Sequence, residues 1–140
     1  MNQPIIALDV GDKRIGVAVS DPTQTLATPR SAIPRNRAQS QILKLSRDEN
    51  ASLIIVGMPY LASGCLGTQA DKTQQFIASL TKTTGLNIET VDERLSTIEA
   101  RKRLHESPGR KNRIKKDKGL LDSASAAVLL QTYLDQIGTR

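Results

Sequence analysis

Acidic side chains at three places in this sequence could do chemistry together. Asp9 interrupts the apolar run "IIALDV", Asp92 and Glu93 follow "LNIETV", and Asp122 stands near the head of "LDSASAAVLLQTYL". A carboxylate among apolar neighbours loses hydration, at a cost of several kcal/mol by order of magnitude unless something compensates it. If carboxylates from the three places meet, two unit charges about 4 Å apart repel by about 4 kcal/mol at an effective dielectric of 20. Protons or a cation must offset that. Hard oxygen ligands without His or Cys select Mg²⁺ or Mn²⁺. Two such ions about 3.5–4 Å apart activate a water and stabilise the leaving oxygen of a phosphodiester.

Each acid also has a plainer use, with one exception. Asp122 can cap a helix, Asp92 can make an Asx turn, and Glu93 with Arg94 can form a surface ion pair of little worth. Asp12 and Asp21 flank turns and are expected to be solvated. Asp9 sits inside a strand, where a carboxylate has no capping role, so it leads the functional reading. His105, the only histidine, fits a helix C-terminus better than a ligand site. Cys65, the only cysteine, can form neither an internal disulfide nor a multi-Cys zinc site.

The charge distribution points the same way. The 140 residues carry a formal net charge of +6, but Arg101 to Lys118 alone hold nine Lys/Arg against two acids. The remaining chain sums to −1, with eleven basic and twelve acidic residues. Basic charge concentrated in one segment suggests a polyanion contact. An acidic metal site beside such a segment describes a nuclease. Aromatics are only 2% of the chain, which argues against nucleic-acid binding mainly by base stacking.

The elements that must position these residues follow from pattern. Residues 4–10 and 14–20 read as strands joined by a short hairpin over "GDK", and about 27–33 as a third extended segment that Pro29 and Pro34 confine to an edge or a short piece. A helix over 36–49, a buried strand over 52–59 and a Gly-containing loop to Gly67 follow. Thr68 and Asp71 have capping-box-like spacing for a helix to about Thr83. A strand over 86–91, a helix opened by Ser96 and Glu99 and running to about His105, and a last helix over about 121–136 complete the chain. Ala124, Ala126 and Ala127 would let that helix approach the sheet closely, with Asp122 aimed at the edge where Asp9 lies. Three adjacent strands followed by βα alternation predict an α/β mixed sheet flanked by helices, within one domain over 1–140. No apolar run of 18 residues exists and the N-terminus has no secretory pattern, so the expected location is cytoplasmic, with no membrane partner.

Four ordered blocks resemble a known family. "ALDVGDKRIGVAVSD" (7–21), "IIVGMP" (54–59) with its loop to Gly67, "VDERLST" (91–97) and "LDSASAAVLLQTYL" (121–134) are similar to the YqgF family, also called the RuvX-type Holliday junction resolvase or pre-16S rRNA nuclease family. The resemblance spans nearly the whole chain. It implies a ribonuclease H-like fold related to the RuvC resolvases and a cytoplasmic role at the 5′ end of precursor 16S rRNA. Carried over by position, the catalytic and metal-holding acids are Asp9, Glu93 (with Asp92 as its substitute) and Asp122. Arg94, Lys13 and Arg14 would contact phosphates, as would Arg110, Lys111, Arg113, Lys115 and Lys116 of the basic segment. The family's "DERLTT" is "DERLST" here, which keeps a hydroxyl at Ser96. Tyr60 and Ser63 replace an aliphatic residue and an acid or amide in the glycine loop.

Other readings share some of these residues. A DNA junction resolvase would use the same metal chemistry but needs a dimer with paired sites. "DVGDKRIGVAVSD" is also similar to the phosphate-binding hairpin of actin-like ATPases and sugar kinases, which need two such domains where 140 residues supply one. A non-catalytic nucleic-acid or ribosome-binding protein would keep the fold without cutting. The expected partners are therefore precursor rRNA or branched DNA and a pre-ribosomal particle, for a monomer or a dimer.

Overall fold

Ile5, Ile6, Ala7, Leu8 and Val10 are all buried, as a strand covered on both faces requires. This strand, β1 (Ile5–Val10), is the middle of a five-stranded sheet. In the computed structural model, which describes residues 3–58, 67–92 and 123–138, the strand order is β3-β2-β1-β4-β5. β2 (Arg14–Ser20) pairs antiparallel with β1 and with β3 (Ala27–Pro34), while β4 (Leu53–Met58) runs parallel to β1 and to β5 (Asn87–Asp92). The sheet is mixed, as the element order demands. Pro29 and Pro34 fall in β3, an edge strand, where a missing ladder donor is tolerated.

Strict alternation sorts the side chains into two cores. Ile6, Leu8 and Val10 of β1 pack with Ile42 of α1 (Ala38–Asp48) and with Phe76 and Leu80 of α2 (Thr68–Thr84). Ile5 and Ala7, with Ala18 and Ile55, pack against Ala126, Ala127, Leu130 and Leu134 of α3 (Ala124–Gly138). Small residues meet small residues there: Ala7 and Ala18 are register partners beneath Ala126 and Ala127. The helix therefore lies close to β1 and β2.

Two local expectations need correction. Helix α1 is preceded by a separate 3₁₀ turn, Arg35–Arg37, because Pro34 leaves the chain extended just before it. At α2 the N-cap is Gly67 and no side chain caps it, so Thr68 is the first helical residue and the capping-box reading fails. The amide of Asp71 instead donates to Gly67 O at 3.1 Å. The helix expected from Ser96 to His105, and the start of the last helix at 121–122, lie outside the described residues.

Candidate active site

Asp9 is the one half-buried position of β1 among five buried ones. The carboxylate loses part of its hydration and not all of it, and the neighbours explain why. Gly16 is its register partner on β2, and on β4 Val56, the partner of Leu8, is followed by Gly57. Neither glycine carries a side chain to cover the carboxylate. Alternation puts Asp9 on the same face as Ile5 and Ala7, the face on which α3 packs.

The head of α3 is fastened beside it. Between Ile15 and Val17 the β2–β3 register slips, with Ile15 paired to Ile33 and Val17 to Arg30. The slip is a β-bulge on β3, and it breaks the ladder at this point. The Val17 amide donates instead to Ser123 Oγ at 2.9 Å, and Ser123 is fully buried. Ser123 O accepts from Ala127 N at 3.0 Å and so opens the helix. The residue that follows Asp122 in the chain is therefore tied to β2 one position from Gly16, the partner of Asp9.

Asp92 is placed differently. It pairs with Met58 at the end of β5, and Met58 shares a face with Ile54 and Val56, which belong to the α1 and α2 core. Asp92 is half-buried on that face, opposite to the face of Asp9. Strand β5 thus does not bring Asp92 to Asp9. Glu93, Arg94, Arg110, Lys111, Arg113, Lys115, Lys116 and Asp122 lie outside the described residues, as do Tyr60, Ser63, Cys65 and His105. Among the described residues no group of three or more His, Cys, Asp or Glu side chains comes together.

The hairpin after Asp9 presents two of the expected phosphate contacts. Lys13 is exposed at its tip, and Arg14, also exposed, opens β2. The turn closes with Gly11 N donating to Arg14 O at 3.0 Å, and a Cβ on Gly11 would lie 2.7 Å from that oxygen. Glycine is required there by close approach. Arg35, which the sequence alone does not single out, reaches this turn through Nη1, which donates to Gly11 O at 2.7 Å.

Asp21, expected to be a solvated turn residue, organises a loop instead. Its carboxylate accepts from the amides of Thr25 and Leu26 at 2.8 and 2.9 Å and from the Thr23 hydroxyl. Partial desolvation pushes its pKa up, but these hydrogen bonds outweigh that and hold it below the ordinary carboxylate value. A groove of about 520 Å³ lined by Pro4, Asp21, Arg30 and Asn50 opens there, at the end of the strands away from Asp9. It takes no part in the candidate site.

Comparison with known proteins gives the family and the fold. The family model described as "RuvX: Holliday junction resolvase" matches residues 3–136. A Roseiflexus sp. (strain RS-1) protein named "Putative pre-16S rRNA nuclease" is 39% identical over 134 residues, covering 94% of this chain and 93% of that protein. A Synechocystis sp. (strain PCC 6803) protein of the same name is 40% identical over 133 residues, covering 93% and 86%. In structure, T. thermophilus RuvC in complex with a Holliday junction substrate superposes with a TM-score of 0.61 at 10% identity, covering 99% of this chain and 98% of that one. A second T. thermophilus RuvC structure gives 0.57 at 11% identity, covering 97% of each chain. At such identities the superpositions bear on the fold alone, and that fold is ribonuclease H-like. With its sequence matched to the family model across nearly its whole length, this chain belongs to the RuvX family.

Proposed function

We propose that this chain is a divalent-metal-dependent nuclease that hydrolyses phosphodiester bonds at the 5′ end of precursor 16S rRNA. The observation that carries the chemistry is the position of Asp9, half-buried between glycines on the face where Ser123 fastens the head of α3. The substrate class is supported by the names of relatives 39% and 40% identical over almost the whole chain.

In this reading Asp9, Glu93 and Asp122 are the catalytic acids and hold Mg²⁺ or Mn²⁺. A donor set made only of carboxylate oxygens suits those ions. When bound, they would supply an activated water and charge stabilisation at the leaving oxygen. Glu93 is preferred to Asp92 because Asp92 lies on the opposite face from Asp9, and the next residue along an extended chain turns to the other side. Lys13 and Arg14 contact phosphates beside the scissile bond. Arg94 and the segment bearing Arg110, Lys111, Arg113, Lys115 and Lys116 hold the nucleic-acid backbone. Residues 1–140 act as one nuclease domain, working in the cytoplasm on free precursor rRNA or on a pre-ribosomal particle.

The family description favours a second reading, resolution of branched DNA. The metal chemistry is the same, but symmetric cutting of a junction needs two sites in a dimer, whereas the RNA reading does not. One experiment separates them: the purified chain with Mn²⁺ or Mg²⁺, offered precursor 16S rRNA fragments beside a four-way DNA junction. Metal-dependent cutting of the rRNA 5′ flank is the expected result. Cutting of the junction alone would give the second reading, and binding of both substrates without cutting would overturn the enzyme assignment.

A further inference from the structure

Arg35 is the first residue after β3, half-buried, and it makes three contacts, two to the hairpin following Asp9 and one to α2. Its backbone amide donates to Lys13 O at 2.9 Å. Its Nη1 donates to Gly11 O at 2.7 Å. Its guanidinium carbon lies 5.2 Å from the ring centroid of Phe76 in α2, a residue of the core.

A two-stranded tip that projects from a sheet normally moves more than the strands that carry it. Here one arginine takes two of its carbonyls, Lys13 O through the backbone amide and Gly11 O through the side chain, and cation–π contact anchors that side chain to Phe76 of α2. The tip joins Asp9 on one strand to Arg14 on the other over four residues, Val10 to Lys13. Any swing of the tip changes the distance between the carboxylate and the Lys13 ammonium. Lysine could supply the charge at residue 35. It could not supply both the planar donor and the stacking surface.

We propose that Arg35 is a positioning residue, which locks the Gly11–Lys13 turn so that Lys13 holds the substrate phosphate at a fixed distance from Asp9. The proposal rests on the nuclease reading above. Displacing a reacting group by about 1 Å costs on the order of a hundredfold in rate. Arg35→Ala is therefore expected to lower kcat by about tenfold to a hundredfold while KM stays within about twofold.

The test measures kcat and KM for metal-dependent cleavage by the wild type, Arg35→Ala and Arg35→Lys, with amide hydrogen exchange read at Gly11. Faster exchange at Gly11 with unchanged exchange at Ile6 and Val56, a loss confined to kcat, and partial recovery of kcat in Arg35→Ala on adding millimolar guanidinium are expected. A residue that only stabilised the fold would show neither the confined loss nor the recovery. If Arg35→Ala does not fold, Arg35→Lys carries the test, with a smaller loss in kcat and the same exchange signature. Variants that cut as well as the wild type, or that lose KM and kcat together without recovery, overturn the role of Arg35 alone. A wild type that cuts no substrate overturns the nuclease reading and this proposal with it.

Discussion

The amide of Val17 and the hydroxyl of Ser123, 106 positions apart in the chain, are joined by a 2.9 Å hydrogen bond. The bulge between β2 and β3 creates the need for this bond, and Ser123 answers it from the head of the last helix. The residue directly after Asp122 in the chain thus repairs a strand irregularity.

Ser123→Ala removes the acceptor and leaves a buried amide unpaired, which costs about 1–3 kcal/mol. Urea denaturation should show a lower midpoint with an unchanged slope. If the nuclease reading holds, the same variant should lose cleavage beyond what its instability explains, measured well below its melting temperature. A wild-type midpoint would show that the Val17 amide has another acceptor.

The carboxylates can be ranked by substitution. Asp9→Asn should lower kcat by on the order of a hundredfold or more, because metal-supplied charge stabilisation is worth several kcal/mol and each 1.4 kcal/mol is about tenfold. RNA affinity in a mobility-shift assay should be nearly unchanged. Glu93→Gln should behave like Asp9→Asn, whereas Asp92→Asn, on the face of the sheet opposite to Asp9, should retain most activity. A reversal of the last two would make Asp92 the ligand.

Much of this was legible in the sequence because it rests on short-range pattern. Asp9 stands out because it breaks an apolar run, and Pro29 and Pro34 mark β3 as an edge. Register and tertiary contact were not legible. The half-exposure of Asp9 depends on the glycine opposite it at Gly16, 7 residues on and visible only once the strands are paired. Ser123 reads as an ordinary residue of a helix start until the bulge is known. Arg35 reads as one more cation until its guanidinium is found on Gly11 O. Thr68 and Asp71 show the reverse failure, a correct local spacing that the chain does not use because Gly67 is the N-cap.

Asp21 gives a pH prediction away from the site. Burial raises its pKa, but hydrogen bonds from Leu26, Thr23 and Thr25 lower it further, so the folded value lies below the unfolded one. Its charge therefore contributes stability that is present above the unfolded carboxylate pKa and is lost as pH falls through the folded value. Asp21→Asn keeps an oxygen acceptor but no titrating group. Melting temperatures should favour the wild type at pH 7, with the difference closing at pH values below about 4. A difference that persists unchanged at pH 2 would locate the effect in packing rather than in charge.

The basic segment is tested by salt. Arg110, Lys111, Lys115 and Lys116 carry four of the nine positive charges between Arg101 and Lys118. Each phosphate contact releases counterions, so log K falls with log salt by about 0.7 per contact on single-stranded nucleic acid and about 0.9 on duplex. Replacing all four with Ala should weaken RNA binding at low salt and flatten the slope by up to about 3 on a single strand. Lys13→Ala should flatten it by one contact's worth, about 0.7, and should act on cleavage as well because Lys13 adjoins Asp9 through the hairpin. If the fourfold variant keeps the wild-type slope, the segment does not touch the backbone. The chain's positive charge would then act at longer range, steering association, and would show in the on-rate rather than in the slope.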